Sequence, residues 1–292
     1  MDMIYYKHPW RTSMKKYFCG LYYRCQSDSQ TLAIIPSVHK TSANAFCHLQ
    51  IITDTNSFQT FFPCSDLNRN RREICIGKNR FNHNGISLDI QTPELQVFGD
   101  LRFGSYTPIK YDIMGPFRYI PFLQCRHCVF SMKHTVNGEL MVNGIFYRFA
   151  NSAGYLEGDR GRSFPREYAW TQCFCPNGSL MLSVADVPLG GTHITGIIGI
   201  VLLGKKEYRL ATYLGANTVR IKNGEVIVRQ GNYNLTSKRL DTPGHPLQMP
   251  VCGAMSRTIY EHPSCNAYYR FEENGRTLLE LNAQNAAFEY EY

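Results

Sequence analysis

The stretch Gly154-Tyr-Leu-Glu-Gly-Asp-Arg-Gly-Arg-Ser-Phe-Pro-Arg-Glu-Tyr-Ala-Trp-Thr-Gln172 concentrates the unusual chemistry of this chain. An extended backbone from Tyr155 to Asp159 puts Tyr155, Glu157 and Asp159 on one face, because side chains alternate with a period of two; the carboxyls then stand roughly 7 Å apart. Two acids this close share a field, and an apolar surrounding keeps one of them protonated near neutrality. Arg160, Arg162 and Arg166 support the opposite outcome, a carboxylate–guanidinium network at a domain junction that lowers both acids and needs no catalysis to explain it.

Working outward, Asn-Gly pairs recur at 84–85, 137–138, 143–144, 177–178, 223–224 and 274–275. Each suits the left-handed conformations of a type I′ hairpin turn, and most lie between runs rich in Ile, Val, Phe and Tyr. The chain reads as all-β with about twenty strands, and helical periodicity is confined to Leu247–Thr258. So many strands exceed one small barrel and favour two packed barrels or sandwiches. With no low-complexity linker, the halves share an interface, and the boundary falls between Gly161 and Pro165, giving domains 1–162 and 163–292. Residues 105–121 carry Pro108, Pro116 and Pro121 among Tyr106, Ile109, Tyr111, Met114, Phe117 and Tyr119. Such a loop is expected to cover a cavity mouth.

Composition narrows the function classes. The 19 Tyr and 17 Phe suit broad sheets or a cavity for a flat or greasy ligand. The net charge of +8 is uneven, with 17 Lys+Arg against 10 Asp+Glu in residues 1–150 and 14 against 13 thereafter. The cations are scattered and no nucleic-acid motif accompanies them, so a solvated basic face is expected, with peripheral membrane contact as the other use and no nucleic acid as partner. Eleven cysteines without a scaffold spacing read as reduced thiols. Cys125-Arg-His-Cys128 beside Cys173-Phe-Cys175 falls short of two zinc knuckles, so no metal is expected. The first twenty residues lack an apolar targeting core, and Ile197–Leu203 is too short to span a bilayer, which points to a cytoplasmic location. Walker, dinucleotide and Gly-x-Ser-x-Gly motifs are absent.

Several blocks, in order along the chain, resemble the tocopherol cyclase family: Tyr17-Phe-Cys-Gly-Leu-Tyr-Tyr23, Ile34-Ile-Pro36, Ile113-Met-Gly-Pro-Phe117 with Ile120-Pro-Phe122, His127 with Ser131-Met-Lys-His134, Gly154 to Pro165, Ser179-Leu-Met-Leu-Ser-Val-Ala-Asp186 and Ala211-Thr-Tyr-Leu-Gly215. The resemblance implies two lipocalin-like β-barrels related to carotenoid-hydratase-like proteins. It further implies closure of a chromanol ring by addition of a quinol hydroxyl across a prenyl double bond, without cofactor. Cys19, Leu21, Gln124, Lys133 and Arg160 depart from the family pattern; Cys19 and Gln124 replace acids and cannot protonate an alkene. Protonating a trisubstituted alkene needs a neutral acid in a dry pocket. Glu157 or Asp159 is the candidate acid, and His127 or His134 the candidate acceptor of the quinol proton. Tyr17, Tyr22, Phe122, Tyr155, Arg162, Trp170 and Gln172 are the candidate substrate-binding residues, the aromatics among them offering faces to a carbocation. Two alternatives stand beside the enzyme: a non-catalytic binder of an isoprenoid or other hydrophobic ligand, and a scaffold with filled barrel interiors.

Overall fold

The computed structural model describes residues 16–70, 72–121, 123–189, 191–241 and 244–292. Residues 1–15, on which the reading of the N-terminus rests, and Phe122 lie outside them. The first sheet comprises β1 (Tyr17–Gln26), β2 (Thr31–Lys40), β3 (Ala45–Thr53), β4 (Ser57–Pro63), β5 (Leu67–Arg69), β6 (Glu73–Ile76), β7 (Asn79–Asn82), β8 (Gly85–Gln91), β9 (Gln96–Phe103), β10 (Cys125–Val142) and β11 (Ile145–Gly161). The second comprises β12 (Tyr168–Cys175), β13 (Gly178–Leu189), β14 (Thr192–Leu203), β15 (Lys206–Ala211), β16 (Asn217–Lys222), β17 (Glu225–Gln230), β18 (Tyr233–Arg239), β19 (His245–Val251), β20 (Ala254–Glu273) and β21 (Arg276–Tyr290).

Both sheets are antiparallel and close by the same device. The first runs β4-β3-β2-β1-β11-β10-β9-β8-β7-β6-β5, so its two edge strands are consecutive in the chain. Only Cys64–Asp66 joins them. A three-residue link cannot cross the width of a flat eleven-stranded sheet, so the sheet curls until its edges meet. The second runs β15-β14-β13-β12-β21-β20-β18-β17-β16, with β19 added on β20. Its edges β15 and β16 are joined through Thr212–Leu214, and Ala216 N–H donates to Ala211 O across the join at 3.0 Å. The all-β, two-barrel expectation therefore describes the molecule.

Both barrel interiors are filled. Tyr23, Leu32, Leu49, Phe81 and Leu140 pack in the first, and Leu180, Leu210, Val228, Leu235 and Phe271 in the second. A third cluster joins residues of both barrels, among them Tyr22, Val129 and Tyr155 with Trp170, Met181 and Ile259. The strand period explains how one strand serves two cores: in β1, Leu21, Tyr23 and Cys25 turn into the first barrel, while Tyr22 and Arg24 turn toward the second. Such strands are buried on both faces, which is why β1 reads as a nearly unbroken apolar run.

Two local readings are corrected. Residues 247–258 are not helical: they form most of β19 and the start of β20. The β20–β21 pairing carries two unforeseen long strands, and burial on their inward faces outweighs the weak helical periodicity. Asn137-Gly138 does not end a strand; it lies within β10 at a register shift between Val136 and Gly138. By contrast, Asn143, Asn223 and Asn274 take φ of 47°, 53° and 53° with Gly144, Gly224 and Gly275 following at positive φ, as a type I′ turn demands.

Arg24 fastens the barrels together. Wholly buried on β1, it donates from Nε to Pro263 O at 3.0 Å, from Nη2 to Pro263 O at 2.9 Å and Asn285 O at 2.7 Å, and from Nη1 to Gln172 Oε1 at 2.9 Å. Arg24→Met keeps the apolar stem but leaves two buried acceptors and one half-buried acceptor without their donor, so a loss of about 3 kcal/mol in urea unfolding is expected. A variant within about 0.5 kcal/mol of the parent would contradict this role.

Candidate functional site

A cavity of about 170 Å³ lies between the two barrels, outside both filled interiors. Its walls are largely apolar, with Phe18, Ile35, Met114, Phe117, Phe164 and Leu247 among them. Residues 104–124, linking β9 to β10, contribute Met114, Phe117, Ile120 and Leu123, so this segment covers the cavity as expected. The second barrel holds it in place. Arg209 Nη1 donates to Asp112 O at 3.0 Å, Arg209 Nη2 to Tyr111 O at 2.8 Å, and Tyr213 O–H to Ile113 O at 3.0 Å.

Ladder register builds the polar wall. On the first barrel, Tyr22 stands opposite Glu157 and Gly20 opposite Asp159 across β1–β11, while His127 stands opposite Asp159 across β10–β11. Directly opposed side chains on one face are contact neighbours. His127 Nδ1 lies 3.0 Å from Asp159 Oδ1, and Nε2 lies 3.1 Å from Glu157 Oε2. Glu157 Oε2 also accepts from Tyr155 O–H at 2.5 Å and Trp170 Nε1–H at 3.2 Å. Burial opposes a charge on His127, but Asp159 and Glu157, with their hydrogen bonds, outweigh it and hold the imidazolium well above the ordinary histidine range.

The second barrel supplies two further acids. Glu289 stands opposite Trp170 across β12–β21 and opposite Glu261 across β20–β21. Tyr168 O–H donates to Glu289 Oε2, and Tyr22 O–H donates to Glu261 Oε1 at 2.5 Å. Burial pushes Glu261 up to about 7, against the pull of Tyr22 and Arg24. Burial and then the field of Glu261 raise Glu289 well above the carboxylate range. At another edge of the cavity Ser37 and His39 lie 2.8 Å apart, and burial, then His48, pushes His39 down to about 3.

The structure gathers Glu157, Asp159, His127, Tyr22, Tyr155 and Trp170 at this wall. Gln172 is wholly buried behind it, accepting from Arg24. His134 stands apart on β10, 3.1 Å from Ser131 Oγ and against the rings of Phe103 and Tyr106, where burial pushes it down to about 4. Tyr17 and Cys19 share the odd-numbered face of β1 that turns into the first barrel. The Arg162 side chain is exposed. Gln124 donates from Nε2 to Phe164 O at 3.0 Å. The expected arginine network gives way to a histidine: the ion pairs described for Glu157 and Asp159 are with His127, because alternation turns residue 160 to the other face of β11. Glu261, Glu289, Tyr168 and Arg24 escaped the sequence reading. The alternating pattern of β20 would have exposed Glu261 as an acid at an inward position.

Among the described residues, His127, Glu157 and Asp159 offer ligand atoms within 4.8 Å of one another. Both imidazole nitrogens already face carboxylate oxygens, the arrangement of an imidazolium between two anions. Cys125 and Cys128 on β10 do not join Cys173 and Cys175, which pack in the second barrel's core. All eleven cysteines are free thiols, as expected.

Fold and site define a protein of two antiparallel β-barrels with a largely apolar cavity between them. No family model matches the chain, and no curated protein matches it. Among solved structures it is similar to an AttH-type protein from Nitrosomonas europaea, with 9% identity over 96% of this chain and 93% of that one and a TM-score of 0.54. Kievitone hydratase from Nectria haematococca aligns with 10% identity over 94% and 88% and a TM-score of 0.56. CghA bound to Sch210972 aligns with 7% identity over 95% and 89% and a TM-score of 0.58. These likenesses establish the shared lipocalin-like fold. No helix among the described residues is long and apolar enough to cross a membrane.

The raised Glu261 carboxyl makes a signed prediction. The unfolded value is about 4.3, so between there and about 7 the native state holds a proton that the unfolded chain has lost. This contribution to stability is fully present below pH 4.3 and lost as pH rises through 7. Glu261→Gln removes the dependence, so from pH 4.5 to pH 8 the variant should gain on the parent by on the order of 3 kcal/mol in urea unfolding. Parallel pH profiles would place Glu261 at an ordinary carboxyl value.

Proposed function

We propose that this protein catalyses acid-assisted addition of a hydroxyl across an alkene of a prenylated phenol, in the manner of a tocopherol cyclase and without a cofactor. The observation that carries the reading is an apolar cavity bounded on one wall by the Glu157–His127–Asp159 triad, of which Glu157 and His127 are buried, and by tyrosine-bound carboxyls. The ring portion of a substrate fits there, and the prenyl chain lies against the apolar walls.

In this scheme a neutral carboxyl transfers its proton to the less substituted alkene carbon, leaving a tertiary cation. The Trp170 and Tyr168 rings at the wall face that charge. The phenol oxygen closes on the cation, and its proton passes to Asp159. Asp159 suits the acceptor role because its side chain is more open to the cavity than that of Glu157, 17% against 6% exposed. Glu157, already accepting from Tyr155 and Trp170, is a positioning residue that holds His127. His127 as an imidazolium stabilises the Asp159 carboxylate. The product is an isomer of the substrate, so no electrons enter or leave. The structural neighbour named a hydratase is consistent with the same class of addition, with water in place of the phenol.

Conversion of 2-methyl-6-phytylbenzoquinol to its chromanol, followed anaerobically under reducing conditions by mass spectrometry, tests the reading. Asp159→Asn and His127→Gln should each lower kcat by about 10²-fold; Asp159→Asn should retain thermal melting, whereas His127→Gln should melt lower because Glu157 and Asp159 lose their counter-charge. An inactive parent that instead copurifies with an isoprenoid or similar lipid favours the second reading, a binder whose buried polar wall orients its ligand.

A further inference from the structure

The β20–β21 register sets Glu261 directly opposite Glu289. Opposed residues on antiparallel strands stand about 5 Å apart at Cβ, and like charges there repel. Water cannot relieve the repulsion, since Glu261 is wholly buried and Glu289 is 8% exposed. Every element packed around the pair adds to the account. From β1, Tyr22 gives Glu261 one hydrogen bond, and Arg24 spends its donors on Pro263, Asn285 and Gln172 rather than on either acid. From β12, Tyr168 gives Glu289 one hydrogen bond. From β10 and β11, the charge of His127 is shared between Glu157 and Asp159. Arg257 on β20 is taken by Glu291 at 2.9 Å. Glu261 Oε2 has no hydrogen-bond partner among the described residues, an arrangement that leaves an ionised carboxylate unanswered.

We propose that Glu261 and Glu289 form a carboxyl pair holding one proton between them, and that Glu289, which lines the cavity, delivers that proton to the substrate alkene while Glu261 behind it keeps it protonated. The assignment rests on the reaction proposed above. The Glu289 O–H bond breaks as a C–H bond forms on the alkene, and the tertiary cation is captured by the phenol oxygen. The phenolic proton passes to Asp159 and returns to Glu289 by exchange with solvent, so atoms and charge balance over one turnover. Two ionisable groups coupled in this way titrate as a unit. A proton shared by like charges forced together is how such a site keeps a neutral acid near pH 7. The raised values of both carboxyls agree with the geometry.

Infrared titration of the ligand-free protein reads the proton without reference to activity. The parent should show a protonated-carboxyl band that persists above pH 6. Glu289→Gln should lose the high-pH part of the band and keep only the Glu261 carboxyl, which burial holds at about 7; the band should titrate at lower pH in Glu261→Gln, return toward the parent position in Glu261→Asp, and be unaffected in form by His134→Gln. In turnover of the prenylated quinol, Glu289→Gln should lose about 10²-fold or more in kcat. Glu261→Gln should retain activity at low pH and shift the alkaline limb of its pH profile downward, because its partner then ionises more easily; a purely structural role for Glu261 would not move that limb. An unchanged band in Glu289→Gln, or an unmoved midpoint in Glu261→Gln, overturns the shared proton. Near-parental turnover by Glu289→Gln overturns the donor role and leaves the reaction reading intact. A parent with the band but no turnover sinks the reaction and the donor role together, while the shared proton stands.

Discussion

The seam where the outer face of β1, β10 and β11 packs on β12, β13 and β21 is the constraint on which the rest of this protein depends. Each barrel closes by bringing consecutive strands, β4 with β5 and β15 with β16, to the two edges of its sheet. That closure leaves the first and last strands of each barrel side by side in the middle of the sheet, as β1 with β11 and β12 with β21. Those paired strands are buried on both faces, one against their own barrel and one against its neighbour. Arg24 supplies the directional part of the contact, fixing β1 to the backbone of Pro263 in β20 and of Asn285 in β21.

A seam of this kind is stable when apolar, and much of it is. The polar wall runs against that economy. Glu157, Glu261 and Glu289 are all nearly or fully buried, and placing acids in a low-dielectric interior costs stability unless partners answer them. Three tyrosines, a tryptophan and a histidine do so in part, with Tyr22, Tyr155 and Tyr168 each donating to a different glutamate. The remaining cost appears as raised carboxyl values rather than as a compensating ion pair. Local rules broken at one cavity, in a chain that otherwise follows them, support the proposal that this wall is the functional site.

Filled barrel interiors change what the lipocalin-like fold means here. The aromatic-rich composition suits broad sheets or a cavity for a greasy ligand, and inside the barrels Phe81, Tyr23, Phe271 and Tyr269 fill the space themselves. Residues 104–124 become a bridge between barrels as well as a cover, since the buried Arg209–Glu207 pair at 3.0 Å holds them from the second barrel. A ligand entering the cavity therefore touches both sheets and this segment at once.

Much of the architecture was legible in the chain. Hairpin turns at Asn143, Asn223 and Asn274 follow from the ease with which Asn-Gly enters left-handed backbone, a local property. The grouping of Tyr155, Glu157 and Asp159 follows from strand alternation, also local. His127 was visible as a candidate, but its place between both acids depended on the β10–β11 register. Glu261 and Glu289 were not legible as a pair: they lie on different strands, and only a ladder interrupted by register shifts sets them opposite each other. The sequence by itself determined strand character, turn positions and which acids share a strand face, because those depend on backbone preferences and a period of two. The tertiary structure alone decided that the cavity lies between the barrels, that histidine rather than arginine answers the acids, and that two further carboxyls complete the wall, because register, closure and packing between distant strands are long-range events that no local window of sequence encodes.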